Sequence, residues 1–260
     1  MEGYTALADC YDRLMIGADY AGWADRIGEL LRRNGIADGS LLLELGCGTG
    51  SMTLELARRG WDMTALDLSP DMLMCARAKL AEAGYGDALL LCRDMRDFEL
   101  YGSMAGAVCV LDGVNYLTDP RGLRRCFRNV HAYLDCGGLF LFDVNTPYKF
   151  REVFARRDYL LEGEGVYCGW RNGYDPGTGL CEFSLSIFKE GRDGTWRRYD
   201  ETQYERCYGR RALTSALESA GFADIAFYAG YTDSPASDTD ERWVVTAKRV
   251  KPWGNAGGAS

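Results

Sequence analysis

Histidine is nearly absent from this 260-residue sequence, which contains a single one, His131. The ten cysteines include no Cys-x-x-Cys pair. Because zinc sites combine these two residue types at short spacings, we expect no metal site. Cysteines such as Cys92 and Cys109 instead lie within apolar stretches, where a free thiol behaves as a small hydrophobic group. This cysteine usage is typical of a reduced, cytoplasmic protein.

Positive charge is also scarce. The sequence has 30 Lys and Arg against 38 Asp and Glu, a net charge of −8, and no basic run. An acidic chain repels a phosphate backbone, so nucleic acid is not an expected partner. No apolar run approaches the ~20 residues that span a bilayer, and the N-terminal residues lack the pattern of a signal peptide. We therefore expect a cytoplasmic protein with a small-molecule partner and no membrane contact; a homodimer remains possible.

Strand and helix patterns alternate through the first two-thirds of the chain. Short apolar runs indicate buried strands, and the helical segments between them begin with capping residues such as Ser69 before Pro70. This alternation predicts an α/β fold with a parallel, Rossmann-like sheet covered on both faces. The predicted strands are residues 41–45, 62–68, 88–92, 105–111 and 138–144, and the predicted helices are residues 4–15, 20–34, 51–59, 70–83 and 120–134.

The pattern changes after about residue 162. Three longer segments alternate and are rich in aromatic residues, and the turns between them have hairpin chemistry. They predict an antiparallel β meander inserted into the parallel fold. The three segments are residues 165–174, 180–189 and 196–206, followed by a helix at 210–220 and strands at 225–229 and 242–248.

A glycine-rich turn, Glu-Leu-Gly-Cys-Gly-Thr-Gly, occupies residues 44–50 between a predicted strand and a predicted helix. Glycines allow a tight turn and let a ligand approach the backbone closely. Asp67 ends the next predicted strand, beside the same crevice, where a carboxylate suits ribose hydroxyls. The glycine turn between a strand and a helix, together with Asp67, predicts a nucleotide-binding site. The alternative is that the glycines only tighten the turn and Asp67 only caps a helix.

The spacing of the glycines distinguishes between cofactors. The dinucleotide fingerprint has its third glycine one residue later than Gly50, where this chain has Ser51. The Gly-x-Gly-x-Gly spacing here, two residues after Glu44, resembles the first motif of the class I S-adenosylmethionine-dependent methyltransferases. The resemblance spans about residues 40–145, and residues 225–248 resemble the antiparallel strand pair that completes the family's seven-stranded sheet.

This resemblance implies S-adenosyl-L-methionine as the cofactor and assigns residues to its site. Asp67 resembles the family's ribose-binding acid, Asp94 and its neighbour resemble the residues that meet adenine, and Leu111 belongs to a motif that borders the reacting methyl group. The implied cofactor-binding residues are Glu44, Gly46, Cys47, Gly48, Gly50, Asp67, Leu68, Asp94, Met95 and Leu111.

The N-terminal tyrosines and the meander resemble a small-molecule subgroup that includes glycine and amino-sugar N-methyltransferases. In that subgroup an N-terminal helix covers the cofactor, and the meander precedes the last two strands. The implied division of the chain is an N-terminal helical lid at 1–36, a cofactor-binding Rossmann-like domain at 37–147 and 208–250, an antiparallel β cap at 148–207 and a disordered tail at 251–260.

Tyr11, Asn115 and Tyr116 are the candidate catalytic residues. Tyr4 and Tyr11 share one helix face, and in the resembled subgroup a lid tyrosine approaches the methyl group; we favour Tyr11, with core packing as the alternative. Asn115 and Tyr116 follow the fourth strand at the edge of the crevice, although a buried helix cap would also explain Asn115.

The predicted chemistry depends on alignment more than on a histidine base. His131 lies within a helix away from the crevice, so we expect a structural role for it. We predict in-line methyl transfer to N or O of a small-molecule acceptor, with a catalytically silent cofactor-binding protein or an NAD(P)-dependent oxidoreductase as alternatives. In the meander, Glu201, Gln203 and Glu205 share one face, which either receives an amine substrate or is a solvated acidic face.

Overall fold

The computed structural model of this protein describes residues 6–250, which form six α-helices and eleven β-strands. The helices are α1 (Tyr11–Leu14), α2 (Tyr20–Arg33), α3 (Ser51–Arg58), α4 (Pro70–Glu82), α5 (Pro120–Tyr133) and α6 (Arg210–Ala220). The strands are β1 (Leu41–Leu45), β2 (Asp62–Asp67), β3 (Leu89–Cys92), β4 (Met104–Cys109), β5 (Leu134–Asn145), β6 (Tyr159–Gly163), β7 (Val166–Asp175), β8 (Leu180–Glu190), β9 (Trp196–Arg206), β10 (Phe222–Ala229) and β11 (Arg242–Arg249).

Seven strands form the main sheet, in the order β10-β11-β5-β4-β1-β2-β3. Strands β1 to β5 pair in parallel, while β11 pairs antiparallel with both β5 and β10. This confirms the predicted α/β, Rossmann-like sheet with an antiparallel final strand pair. The carboxyl ends of β1, β2, β4 and β5 meet at one edge of the sheet, where crevices form in open α/β folds.

Helices cover both faces of this sheet. On one face Phe142 of β5 packs in a cluster with Phe127 of α5 and Leu217 of α6. On the other, Leu141 packs with Ile27 of α2. Burial of these side chains supplies the main stabilisation of the fold. Among residues 6–250, no helix is both long enough and apolar enough to cross a membrane.

The remaining strands form a second, antiparallel sheet in the order β6-β7-β8-β9, which we call the cap sheet. The predicted meander is therefore confirmed, but it has four strands and the sequence predicted three. Strand β6 was missed because it is a short edge strand whose apolar residue Leu160 is 73% exposed, so its hydrophobic pattern marks no buried face.

Several element boundaries differ from prediction. Strand β4 ends at Cys109, and Leu111 and Asp112 adopt left-handed backbone angles with φ of 55° and 56°, which cannot continue a strand. Strand β5 begins four residues early because Leu134 already pairs with Met104. Within the described residues the first helix comprises only α1, and the predicted Tyr4 and the tail at 251–260 lie outside them.

Candidate active site

The glycine turn connects β1 to α3 through three residues with left-handed backbone angles, Gly46, Gly48 and Gly50 (φ 67°, 52° and 76°). A Cβ built at Gly50 would lie 2.9 Å from the Cβ of Ala76, so this glycine allows α4 to pack against the turn. A Cβ built at Gly48 would meet no atom within 4 Å. Gly48 therefore faces open space, and the turn exposes bare backbone to a ligand there.

Asp67 lies at the end of β2, directly beside this open position. Its Oδ2 accepts a hydrogen bond from the Gly48 N–H at 2.8 Å, and its Oδ1 accepts one from the Ser69 N–H at 2.8 Å. Burial raises the pKa of Asp67, and these backbone donors act in the opposite direction. The neighbouring Leu68 is 55% exposed, which leaves an apolar surface next to the carboxylate.

Two of the predicted cofactor residues lie beneath the turn. Glu44 is 1% exposed, and its Oε2 accepts a hydrogen bond from Thr53 Oγ1 at 2.6 Å. Burial raises its pKa to about 8, opposed by Thr53 and reinforced by the charge of Asp67. Cys47 is also buried, and its N–H donates to the Leu66 carbonyl. Both residues support the turn from within the fold, and their contact with a ligand stays a prediction.

The end of β3 contributes the next pair. Met95 approaches the turn, since its Cε would lie 3.5 Å from a Cβ at Gly46. The Asp94 carboxylate accepts hydrogen bonds from the Arg96 Nε at 2.9 Å and from the Arg96 backbone N–H at 2.8 Å. Burial acts to raise the pKa of Asp94, but the bonds from Arg96 outweigh it and the pKa is lowered. Asp94 thus stays ionised near the position that the family resemblance gives to adenine.

The left-handed residues after β4 are held by a buried carboxylate. Asp143, in β5, has no exposed surface and accepts hydrogen bonds from the N–H groups of Leu111 (3.0 Å) and Asp112 (2.6 Å). Arg242, in β11, pairs with both Asp143 and Asp112, at 2.5 Å each. The hydroxyl of Tyr231 also donates to Asp143. A backbone conformation that costs about 1–3 kcal/mol is therefore fixed at the edge of the crevice.

The cap sheet joins this polar group through Asn145, the last residue of β5. Asn145 Nδ2 donates to Glu205 Oε2 of β9 at 2.9 Å, and its Oδ1 accepts from Lys149 Nζ at 2.9 Å. We call Asp112, Asp143, Asn145, Lys149, Glu205 and Arg242 together the acidic cluster.

Asn115 and Tyr116, the two candidate catalytic residues that follow β4, have different surroundings. Asn115 is fully buried, and its Nδ2 donates to the carbonyls of Asn145 and Arg206 while its Oδ1 accepts from the Asn145 N–H. These bonds fix β5 to β9, so a catalytic role for Asn115 stays a prediction and its visible role is structural. The Tyr116 hydroxyl donates to Gln203 Oε1 at 3.0 Å, which places it under the cap sheet.

The N-terminal segment bridges the glycine turn and the cap sheet. Asp12 accepts a hydrogen bond from Thr49 Oγ1 at 2.7 Å and pairs with Lys79 at 2.7 Å. On its other side, the Arg13 guanidinium donates to the Glu164 carbonyl at 2.6 Å. Tyr11 packs against the cap-sheet cluster that includes Val166 and Cys168. Its pKa is raised by burial and then by the nearby Tyr20 and Asp112.

Sequence reasoning placed the residues that follow the strands, but it missed the ionic partners that organise them. The residues that were not selected are Asp12, Lys79, Asp143, Lys149 and Arg242. The available signal was a charged residue next to a predicted buried strand, as at Asp143 and Arg242, because such charges need a partner. His131 lies apart from the site, where its ring contacts Phe222 edge-to-face at 5.2 Å, in agreement with a structural role.

The strand order and the glycine turn with its acidic neighbour define a class of protein, the Rossmann-like methyltransferases. The methyltransferase domain family matches residues 42–138. A protein of Geobacillus sp. (strain WCH70), named "Putative methyltransferase", is 31% identical over 95% of this chain and 99% of its own length. An S-adenosylmethionine-dependent methyltransferase of Clostridium acetobutylicum has a solved structure that is 28% identical, with a TM-score of 0.82 over 94% of this chain and 98% of that one.

This chain therefore belongs to the class I S-adenosylmethionine-dependent methyltransferases. A more specific relative is an N,N-dimethyltransferase of Streptomyces venezuelae that acts on a dTDP-linked 3-amino sugar. It is 34% identical over 57% of this chain and 60% of its own length. Membership of this family removes the NAD(P)-dependent oxidoreductase from the interpretations that the sequence left open.

Proposed function

We propose that this protein transfers a methyl group in line from S-adenosyl-L-methionine to N or O of a small-molecule acceptor, and that an amine nitrogen is the preferred nucleophile. The single observation that carries this proposal is the acidic cluster. It contains three carboxyl groups, of Asp112, Asp143 and Glu205, against two cations, Lys149 and Arg242. A site with more carboxyl groups than cations has acceptor oxygens available for the N–H groups of an amine.

The residues around the glycine turn fit the cofactor. The backbone at Gly48 borders an open space that any Cβ would fill. The Asp67 carboxylate beside it suits ribose hydroxyls. In this proposal Leu68 and Met95 flank the adenine, Asp94 lies at its edge, and Glu44, Gly46, Cys47 and Gly50 form the base of the site. When bound, the cofactor supplies an activated methyl group on a sulfonium sulfur.

The chain's own residues would contribute alignment and exclusion of water. The N-terminal segment covers the turn through Asp12, and the cap sheet covers the acidic cluster through Glu205. Enclosure strengthens electrostatic interactions, and correct orientation alone can supply several kcal/mol of a reaction barrier. Tyr11, which is near Asp112, and Tyr116, which bonds to Gln203 of the cap sheet, are proposed to orient the acceptor.

The amino-sugar relative supports nitrogen as the acceptor atom. The division into an N-terminal lid, a Rossmann-like domain and a β cap remains part of the proposal and is supported by the separation of the strands into a seven-stranded and a four-stranded sheet. A cytoplasmic location remains part of the proposal and is supported by the ten cysteines, all of which are free thiols. A small-molecule partner, rather than nucleic acid, is supported by the net charge of −8.

The test is a methyl-transfer screen with labelled cofactor against amines, amino sugars, hydroxylated analogues of the same size and small acids. We expect labelled product with one or more amines and none with the matched alcohols. Transfer to alcohols alone would contradict the choice of nitrogen. Tight binding of S-adenosylhomocysteine with no turnover on any acceptor would contradict the proposed function and would favour a silent binding protein.

A further inference from the structure

Strand β9 forms an open edge of the cap sheet. It pairs with β8 on one side, and among residues 6–250 no strand pairs with its other side. The C-terminal end of β9 is covered, because Gln203 and Glu205 are buried and the Arg206 carbonyl accepts a hydrogen bond from Asn115. Residues 196–200 are all exposed, and successive side chains point to opposite faces of the sheet. This part of the strand is therefore open to another chain.

The backbone groups along β9 alternate in direction. The Cys207 N–H donates to the Gly179 carbonyl, and the Gly191 N–H donates to the Thr195 carbonyl. These bonds place the odd-numbered residues of β9 in hydrogen-bonded pairs with β8. The even-numbered residues between 196 and 204 consequently direct their N–H and C=O groups away from β8. They offer a row of donors and acceptors to a further strand.

The order of charges in this segment is self-complementary. Two arginines precede Tyr199, and an aspartate and a glutamate follow it. When two copies of a strand pair antiparallel about a two-fold axis, one residue faces its own copy, and residues equally far on either side face each other. An axis at Tyr199 sets Arg198 opposite Asp200 of the second copy. It also sets Arg197 opposite Glu201, so all four facing charge pairs have opposite signs.

Other positions of the axis are disfavoured. An axis between two residues would set outward-directed backbone groups opposite inward-directed ones, and no ladder of hydrogen bonds could form. An axis at one of the neighbouring charged residues would set that charge directly opposite its own copy, where like charges repel. Those residues are Arg197, Arg198, Asp200 and Glu201. The axis at Tyr199 avoids both conflicts.

The aromatic side chains near this axis are already held in place. The Lys189 Nζ lies over the Tyr199 ring, 5.0 Å from its centroid. The Trp196 ring centroid is 5.4 Å from that of Tyr167. Tyr199 is 39% exposed and Trp196 is 43% exposed. Pairing at this edge would remove part of that surface from water and would restrict little side-chain freedom.

We infer that residues 196–202 of β9 bind the same segment of a second copy of this chain, antiparallel and centred on Tyr199. The two cap sheets then join into one continuous antiparallel sheet. Backbone hydrogen bonds would supply affinity, and the facing charges would select the register. The same charges disfavour a strand of another sequence, because only the reversed charge order matches them.

The test uses two charge reversals that should pair only with each other. Arg198→Glu faces Asp200 of a second copy of the same variant, and Asp200→Arg faces Arg198, so each variant repels itself. In an equimolar mixture every facing pair at these two positions has opposite charges. Both substitutions also remove the 2.8 Å pair between Arg198 and Asp200 within one copy, and mixing cannot restore that pair. Recovery on mixing can therefore come only from contact between copies.

Sedimentation equilibrium measures the dimer dissociation constant of each sample. The control for altered net charge is Arg77→Glu, at an exposed position of α4, which should match the wild type. We expect each reversal alone to weaken the dimer at least about tenfold, and the mixture to return to within about threefold of the wild type.

Three results would overturn the inference. A wild type that stays monomeric at about 100 μM would show that the edge does not bind a second copy. A dimer that neither reversal weakens would place the interface elsewhere. Weakened variants that do not recover on mixing would contradict the pairing of Arg198 with Asp200.

Discussion

The glycine turn and the acidic cluster are two halves of one site, and they are built differently. The turn is made by residues 44–50, and backbone angles and backbone N–H groups define its shape. The cluster is made by side chains, and its ion pair between Asp112 and Arg242 joins residues that are 130 positions apart. The first half is therefore encoded locally, while the second exists only when the sheet and the cap are assembled.

The two halves also stabilise negative charge in different ways. Asp67 is held by the backbone N–H groups of Gly48 and Ser69, whereas Asp143 depends on the guanidinium of Arg242 as well as on two N–H groups. Backbone donors remain whatever side chain is changed, but a single substitution can remove a guanidinium. This comparison predicts that the cluster is the more fragile half.

The largest effect is expected from Arg242→Met. Removal of the guanidinium leaves Asp112 and Asp143 without their cation, and an uncompensated buried charge costs about 3–5 kcal/mol. Chemical denaturation measures the loss in the free energy of unfolding. The control is Arg33→Met, which breaks a pair with Asp233 in which both side chains are more than half exposed and should cost under about 1 kcal/mol. Equal losses in the two variants would show that the cluster is not the fragile half.

A smaller effect of opposite sign, a gain in stability relative to the wild type, is expected for Glu44→Gln as the pH rises. The folded pKa of Glu44, about 8, lies above its ordinary value of 4.5, so the folded state binds this proton more tightly than the unfolded state. The contribution of Glu44 to wild-type stability is therefore fully present below pH 4.5 and is lost as the pH rises through 8. Glu44→Gln lacks this loss, and its advantage over the wild type should grow by about 3 kcal/mol between pH 5 and pH 8.

Thermal unfolding across this pH range tests the Glu44 prediction. The matched control is Glu82→Gln, a change at an exposed acid at the end of α4, which should show no such growth. A constant difference between Glu44→Gln and the wild type at all pH values would mean that Glu44 is ionised normally beneath the turn.

Asp67→Asn should weaken cofactor binding and also lower stability. Asparagine keeps only one acceptor oxygen, so the N–H of either Gly48 or Ser69 loses its partner at a cost of about 1–3 kcal/mol. The side chain also loses the charge that strengthens bonds to ribose hydroxyls. We expect about 30-fold weaker binding of S-adenosylhomocysteine by calorimetry, equivalent to about 2 kcal/mol. Asp62→Asn, at the exposed opposite end of β2, should bind normally. Unchanged affinity in Asp67→Asn would contradict the placement of the ribose.

The smallest effect separates two glycines with the same backbone requirement. Gly50 and Gly60 have φ of 76° and 86°, but a Cβ at Gly50 meets α4 while one at Gly60 meets nothing within 4 Å. Gly60→Ala should therefore cost about 1 kcal/mol for the backbone angle alone, and Gly50→Ala about 1–2 kcal/mol more. Denaturation of both variants checks the difference. Equal costs would mean that α4 moves freely away from the turn.

Features that depend on local sequence were predicted, and features that depend on contacts between distant residues were not. The parallel sheet with its antiparallel final strand pair, the glycine turn and the position of Asp67 at the end of β2 were predictable because each depends on a local pattern or on a family resemblance to one. The left-handed conformation of Leu111 and Asp112 was not, because no glycine marks it and a distant residue, Asp143, holds it. Likewise β6 carries no clear alternation, since it packs at an edge and exposes Leu160.

Asn115 shows why side-chain contacts could not be predicted from the sequence. Its position at the end of β4 was predicted from the chain order, but its partners are backbone groups of β5 and β9, which no local pattern reveals. The same holds for Glu205. The sequence placed it on a face with Glu201 and Gln203, and only the assembled cap brings it to Asn145.

Calorimetric titration of S-adenosylhomocysteine and of NAD into the wild type and Gly48→Ala tests the central claim most directly. Gly48 faces open space, so Gly48→Ala should cost no more stability than Gly60→Ala. The added Cβ would occupy the space proposed for the cofactor. The account predicts one molecule of S-adenosylhomocysteine bound per wild-type chain, at least tenfold weaker binding to the folded Gly48→Ala variant, and no binding of NAD. Binding of NAD alone, or equal affinity of both chains for S-adenosylhomocysteine, would contradict it.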